Sequence, residues 1–447
     1  MNIGATTEPV IRHKKIPHLK GSFLLGQSAG FMNDCGKLFD DMYAQCGELS
    51  TSSILFKKCF TLLGPDANEL VLLNKGGVFS NKLGWEKMLD SLFRNGLMLK
   101  DGDDHRYSRR IMNVAFTREA LQSYIALSNE QAEQTLRSWT SSAPVQFYGS
   151  IKSLTLDLAL QLFVGERPGA KADEINHWFT KLVDASLVPF KANIPYTRYW
   201  HGLQSRRQLL AYFQLIAPQK RANPGADMLS RLTQAKDEQG DSFTDLEIAE
   251  NMVFLMMAAH DTTTSAMTSL VYFLAKHPQW QNAIREEING VGTEHLSYDQ
   301  LPDLALTSAA FKEALRMMPP LAVIPRGATQ DIPFKDYVIP NEALVQICPI
   351  FTHYQPDIWT QPHTFDPERF SSQRQEDKQH RYAYIPFGGG AHKCLGLHFA
   401  ENQVKIVLFH LLKQYQIEVA DDYAPIWLKV PIVHPKDGLP VRLKKIN

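Results

Sequence analysis

"FGGGAHKCLG", Phe387 to Gly396, runs three consecutive glycines through a histidine and a lysine to one cysteine. A helical pattern, "GLHFAENQVKIVLFHLLKQY", begins at Gly396. Glycines admit backbone conformations that other residues resist, and they let the main chain approach a flat ligand closely. A cysteine just before a helix has its thiolate favoured by free backbone N–H groups and the helix dipole. The loop therefore reads as a device that presents one sulfur anion to the face of something large and planar, with Gly396 allowing tight packing against it. A lone thiolate on a metal implies that a cofactor supplies most of the ligands, and haem with cysteine as its proximal ligand fits. The plain alternative is a buried structural cysteine with a glycine turn. It suffices for Cys35, Cys46, Cys59 and Cys348 but leaves the glycines around Cys394 unexplained.

The rest of the chain sets bounds. It has 447 residues, 44% of them hydrophobic, which is ample for a large core. Forty-seven basic residues balance 47 acidic ones, so composition argues against a nucleic-acid binder. The start, "MNIGATTEPVIRHKKIPHLKG", lacks an apolar signal-peptide core, and nowhere do 18 apolar residues run together. No membrane anchor is expected. The cysteines are scattered without a CxxC pair, which argues against a disulfide framework and for a reducing cytoplasm.

The pattern is mainly helical with small sheets, an α+β fold in one domain over residues 1–447. The first hundred residues read as strand-like runs and turns. "SSILFKKCFTLLG" (Ser52 to Gly64) reads as a hairpin and "PDANELVLLN" as a short helix opened by proline. The helical core spans about 104–318 and 396–414, and "QKRANPGAD" (Gln219 to Asp227) is a loop within it. Strands are expected near 50–65, 320–350 and 415–447, including a hairpin over Ile332 to Ile350 that turns near "PNEA".

"TDLE" at Thr244 to Glu247 has capping-box spacing, and the helix it opens runs to Lys276, where His277-Pro278 ends it. Such a helix is roughly 48 Å long, enough to cross a domain. Its apolar ends imply a buried middle, yet that middle reads "HDTTTS". Thr263, Thr264 and Ser265 are expected to bond back to carbonyls one turn earlier. Asp261 beside Thr262 instead suits proton delivery to something bound there. In "FKEALRMMPP", Glu313 and Arg316 share a helix face; read from the residues alone, they are a solvated pair of small worth.

Together these segments resemble the cytochrome P-450 monooxygenases. "FGGGAHKCLG" is similar to that family's haem-binding loop, "EALR" to its Glu-x-x-Arg motif, "FDPERF" to its arginine-containing meander and "AAHDTTTS" to its central oxygen-binding helix. "DGDDHRYSRRIMNVAF" matches a fifth segment, and the order is the family's. The resemblance implies the family fold, with haem between the long central helix and the cysteine loop plus its following helix. It implies Cys394 as axial ligand, with Phe387, Gly396 and Ala258 beside the haem, and His105, Arg109, Arg326 and His392 on its propionates. It makes Glu313, Arg316 and Arg369 a buried structural triad and gives Asp261 and Thr262 the task of passing protons to oxygen at the haem. One departure stands out: Ala259 replaces the usual glycine of the central helix, so the groove there is expected to change shape modestly.

The implied reaction inserts one atom of O2 into a C–H bond or a double bond, with thiolate donation favouring O–O cleavage. The cofactor is haem b, and electrons come ultimately from NAD(P)H through a separate ferredoxin or flavodoxin with its reductase. Arg106, Arg110, Lys393 and Lys405 offer a docking patch for that donor. By the same resemblance the pocket draws on Val78 to Leu99, Val188 to Tyr199, Leu255, Ala258, Leu321 to Ile324 (Val323 and Ile324 in particular) and Val430 to Ile432, with Ile432 the chosen residue. Few charges lie there, which suits a hydrophobic substrate, and the "FDPERF" and "PFGGG" wording resembles the family branch of sterol- and retinoid-oxidising members, which implies a sterol, terpenoid or fatty acid. The enzyme is expected to be a monomer in the cytoplasm. Two rivals are a peroxide-dependent or isomerase-type haem-thiolate enzyme and a non-enzymatic carrier of hydrophobic ligands.

Overall fold

The structure is a computed structural model that describes residues 13–54, 56–139, 143–188 and 191–446. Among these, the chain forms helices α1 (Ser28–Cys46), α2 (Pro65–Leu73), α3 (Asn81–Phe93), α4 (Gly102–Asn113), α5 (Arg118–Arg137), α6 (Phe147–Ala159) and α7 (Ala170–Ser186). There follow α8 (Arg198–Ala222), α9 (Met228–Gln234), α10 (Asp245–Lys276), α11 (Pro278–Gly290), α12 (Ala305–Met317), α13 (Pro349–Thr352) and α14 (Leu397–Gln414). The mainly helical α+β reading holds. The first hundred residues are the exception: α1 and α3 stand where strands and turns were expected. Their apolar residues are interrupted by Gly, Asn and Asp, which blurs the helical period.

The largest sheet has five strands: β1 (Leu49–Ile54), β2 (Lys57–Leu62), β3 (Phe79–Ser80), β4 (Ile324–Ala328) and β5 (Leu344–Ile347), in the order β1-β2-β5-β4-β3. The expected hairpin over Ser52 to Gly64 is β1–β2, antiparallel from Leu49↔Leu62 to Ile54↔Lys57, with Leu55 outside the described residues. The Ile332 to Ile350 segment is corrected. Ile332–Phe334 and Tyr337–Ile339 form their own hairpin, turning at Lys335-Asp336, where Lys335 takes φ +52°. "PNEA" instead carries the chain into β5, which lies parallel to β2.

Packing follows from local signals. Thr244 closes a full capping box on α10: its side chain accepts the Glu247 N–H, and Glu247 Oε2 accepts the Thr244 N–H at 2.8 Å. Pro65 occupies the first turn of α2, where its missing N–H costs nothing. The expected loop at Gln219 is shorter, because α8 continues through Pro218 to Ala222. The main apolar cluster surrounds α10 with residues of α5, α6, α8, α12 and α14, while a second cluster fills the five-stranded sheet. Among the described residues, no helix is long and apolar enough to cross a membrane.

Candidate active site

The cysteine loop is wound on its own backbone. The Gly388 N–H donates to Ile385 O (3.0 Å), Lys393 N–H to Gly390 O (3.2 Å) and Cys394 N–H to Phe387 O (2.9 Å). Gly388 and Gly390 lie in the left-handed region at φ +66° and +61°. A Cβ on Gly390 would collide with the Leu72 carbonyl, so α2 rests directly on the loop backbone. Gly396 differs. It caps α14 at φ −86°, and an added Cβ would only touch Phe116 at 3.7 Å, so the surrounding protein does not demand glycine there.

Cys394 is exposed, yet burial by the surrounding loop pushes its thiol up. The Gly396 N–H, Arg109 and Lys393 pull the other way and lose. The helix terminus favours the thiolate as expected, but desolvation outweighs it here, and a bound metal deprotonates a coordinating thiol outright.

Four basic groups converge near Cys394. His105 and Arg109 come from α4, Arg326 from β4 and His392 from the loop. The rings of His105 and His392 lie 3.8 Å apart, centroid to centroid. Burial, reinforced by Arg109, lowers His105 to about 4; burial, reinforced by His105 and Arg326, lowers His392 to about 3; burial lowers Arg326 to about 10. Arg326 donates to the Pro325 carbonyl at 2.8 Å, His105 Nε2 is buried without a hydrogen-bond partner, and Arg109 forms no ion pair among the described residues. Asp101 lies 3.6 Å from His392 but already accepts bonds from Ser80, Asn81 and Lys82. Buried donors left without an anion are costly, and a pair of carboxylates suits them. The donor set fits the two propionates of a haem.

Across from the loop, α10 is buried from Ile248 to Val271 except at Met257, Ala258, Ala259 and Thr262. Ala258 and Thr262 are one turn apart on one face, while Ala259 lines a small cavity with Thr263, Leu158 and Phe399. Thr262 Oγ1 donates to the Ala258 carbonyl at 2.8 Å. Asp261 points elsewhere: Lys152 Nζ of α6 lies 3.1 Å from its Oδ1 and His260 Nδ1 3.2 Å. Burial raises this carboxyl, but His260 and Lys152 outweigh it and hold Asp261 at about 2. No hydrogen bond joins Asp261 to Thr262. Sequence reading missed Lys152, which sits far off in the chain on an ordinary amphipathic helix.

The neighbouring hydroxyls divide. Thr264 bonds back to His260 O (2.9 Å) as expected and also meets Thr155 Oγ1 (2.8 Å). Ser265 does not bond back; it donates to the Val433 carbonyl, tying the C-terminal segment to α10.

Glu313 and Arg316 are fully buried, so the solvated pair read from the residues alone is overturned: α12 packs beneath the "FDPERF" turn and has no outer face there. Glu313 accepts from Arg316 Nε (2.7 Å) and Nη2 (2.8 Å), Arg369 Nε (3.1 Å) and the Asp366 N–H (3.0 Å). Arg316 Nη1 donates to His353 O at 2.7 Å. His353, also unforeseen, accepts the Ile385 N–H at Nε2 (3.0 Å), so its Nδ1 donates to Arg316 O (3.0 Å). Burial, with Arg316 nearby, lowers it to about 3, keeping it neutral. The network thus reaches the start of the cysteine loop.

Other sequence expectations change. Lys405 leaves the docking patch because it lies on the inner face of α14, buried, with Nζ donating to Leu301 O at 2.8 Å. Arg106, Arg110 and Lys393 remain exposed, although Arg106 pairs with Asp103 and Arg110 lies 3.9 Å from Asp237. Of the pocket residues, Ala258, Val323 and Ile432 are half-buried, whereas Leu255 and Ile324 are buried, Ile324 within the apolar cluster of the five-stranded sheet. The Val78 to Leu99 segment is β3 and α3, and in the Val188 to Tyr199 segment Pro189 and Phe190 lie outside the described residues.

Known proteins resemble this chain in sequence and fold. The family model "Cytochrome P450" matches residues 19–436. "Putative cytochrome P450 136" of Mycobacterium tuberculosis is 36% identical over 388 residues, covering 86% of this chain and 79% of that protein. "Taxane 10-beta-hydroxylase" of Taxus cuspidata is 28% identical over 422 residues, covering 91% and 84%. The solved structure "Retinoic acid bound cyanobacterial CYP120A1" superposes with a TM-score of 0.87 at 27% identity, covering 97% of this chain and all of that one. The chain belongs to the cytochrome P450 family, monooxygenases that work with haem iron, O2 and reducing equivalents.

Proposed function

We propose that this P450 binds haem b with Cys394 as axial thiolate and oxidises a hydrophobic small molecule of sterol, terpenoid or fatty-acid type by hydroxylation or epoxidation. The observation that carries the reading is the pairing of two features. Cys394 stands beside two arginines and two histidines, of which Arg109 forms no ion pair and His105 Nε2 no hydrogen bond among the described residues, and half-buried Ala258 and Thr262 share one face of α10. His105, Arg109, Arg326 and His392 hold the propionates, and Phe387 closes the loop beside Cys394. Bound haem supplies the oxygen activation. The chain orients the substrate, excludes water and passes protons inward by Asp261 and Thr262.

The substrate class rests on the apolar, half-buried residues Ala258, Val323 and Ile432, and on relatives whose names contain taxane and retinoic acid, both large apolar skeletons. A separate ferredoxin or flavodoxin, recharged by a reductase from NAD(P)H, delivers electrons at the face bearing Arg106, Arg110 and Lys393. A cytoplasmic monomer over the whole chain accords with this reading. The test is the absorption spectrum of reduced protein under carbon monoxide. A strongly red-shifted Soret band, lost in Cys394→Ala, is expected. Protein expressed with ample haem that shows none would overturn the reading and favour a ligand carrier. A panel of sterols, terpenoids and fatty acids, read by the shift in iron spin state, then tests the substrate class.

A further inference from the structure

Strands β2 and β5 run parallel and begin at the same end of the five-stranded sheet, with Cys59 beside Leu344. At that end lies an open cleft of about 380 Å³, lined by Lys57, Lys58 and Phe60 of β2, Lys87 of α3 and residues 340–344. It shares no lining residue with α10, the cysteine loop or the four basic groups near Cys394. Lys58 Nζ sits over the Phe60 ring, 5.1 Å from its centroid. A fourth cation lies close by: Lys191 Nζ donates to the carbonyls of Lys87 (3.0 Å) and Met88, tying the segment after α7 to α3. Burial, and Lys87 after it, hold the Lys57 ammonium below the ordinary lysine range; burial and then Lys57 do the same to Lys191. None of the four lysines forms an ion pair among the described residues, and the one acid in the lining is Glu342. Like charges gathered without a counter-charge repel one another, so the cleft gains from an anion that supplies one.

We propose that this cleft binds a phosphate monoester. The charge of the ligand follows from the lining. Three ammonium groups against the carboxylate of Glu342 leave two positive charges, which a phosphate monoester matches with nearly two negative ones near neutral pH. A carboxylate or a sulfate ester brings one and leaves the lysines half compensated. Ammonium groups on flexible stems also suit a tetrahedral oxyanion as point charges, whereas planar carboxylates are better matched by the fork of arginine. The cleft has the size of a small-molecule site, so part of the esterified molecule lies in it with the phosphate. A phosphate there joins β2 to α3 and, through Lys191, to the segment after α7, and it does so outside the haem site.

Calorimetric titration of the haem-loaded full chain with phenyl phosphate tests it, at about pH 8, where the ester is a dianion. Phenyl sulfate has the same shape and one charge fewer. Phenyl phosphate is expected to saturate a single site and to bind about 10-fold or more tightly than phenyl sulfate. Lys57→Gln and Lys87→Gln should each weaken it by about 10-fold, and Glu342→Gln should strengthen it. Lys444→Gln and Lys445→Gln together, on a strand outside the five-stranded sheet, should leave the affinity unchanged and so control for net charge. Cosedimentation with phosphatidylcholine vesicles holding phosphatidic acid or phosphatidylglycerol separates two sources of the ester. Retention on phosphatidic acid alone, lost in Lys57→Gln, assigns the phosphate to a lipid head; titration by phenyl phosphate without retention assigns it to a soluble ester. No saturable binding of phenyl phosphate, equal affinity for the sulfate ester, or an affinity untouched by both lysine variants would overturn the site. None of these readouts involves the haem, so they stand apart from the carbon monoxide spectrum.

Discussion

Glu313→Gln isolates what the buried network contributes. The carboxylate accepts four hydrogen bonds, three of them from two guanidinium groups, and every participating side chain is at most 1% exposed. Glutamine preserves the volume but removes the charge, and its amide nitrogen must face an arginine donor. Arg369 keeps Glu376 at 2.9 Å, whereas Arg316 has no second carboxylate among the described residues. Breaking a buried pair in this way costs about 3–5 kcal/mol, most of it the penalty of a stranded charge. With an unfolding entropy of about 2.1 cal/mol/K per residue, a 447-residue chain carries about 0.9 kcal/mol/K. The Tm should therefore drop by about 3–5 °C by circular dichroism. Adding Arg316→Met should return part of the loss, since it removes the stranded cation, with a coupling of about 0.5–3 kcal/mol. A Tm within 1 °C of the parent, or strictly additive losses, would refute the assignment of that energy to the ion pair.

Three further outcomes follow from the same geometry. Gly390→Ala should fail to accumulate folded, haem-loaded protein because its Cβ meets the Leu72 carbonyl, while Gly388→Ala, with φ +66° but open space, should lose only about 1–2 kcal/mol in a denaturant titration. Arg326→Leu should leave apoprotein stability unchanged or raised, since a buried cation without a carboxylate is removed, yet speed haem loss to an excess of apomyoglobin. His353 stays neutral in the fold down to about pH 3, whereas the unfolded chain takes up its proton near 6.5, so stability falls as pH drops through that window. His353→Gln cannot titrate, and its stability should depend less steeply on pH between 6.5 and 4, whatever its absolute value.

How much of this was legible depends on how local each signal is. The cysteine loop, the capping box of α10 and the proline start of α2 are written in contiguous residues whose backbone demands are nearly independent of the rest of the chain. α1 and α3 were not legible, because their helicity is settled by packing on the sheet: Gly84 of α3 lies so close to Pro325 that a Cβ would touch its carbonyl at 2.6 Å. The Glu313 pair illustrates the same divide. Spacing places Glu313 and Arg316 on one face but says nothing of whether that face meets water, and Asp366 and Arg369 reach it from more than fifty residues away. His353 and Lys152 carry no sequence signature at all; each matters only through the partner the fold delivers.

The middle of α10 shows why a polar run can mean several things at once. Of its hydroxyls, Thr264 and Thr268 spend their protons on carbonyls of the previous turn, and Ser265 spends its own on the C-terminal segment. Thr262 makes the same backward bond, so hydrogen bonding does not set it apart; exposure does. It and Ala258, one turn apart, are half-buried where most of the helix is buried, and Ala259 instead lines a small cavity with Thr263, Leu158 and Phe399. Burial divides the run into structural hydroxyls and one that is half-buried. The acid next to it is held by a lysine from another helix, so the surroundings of Asp261 are set by tertiary contact and not by its adjacency to Thr262 in the chain.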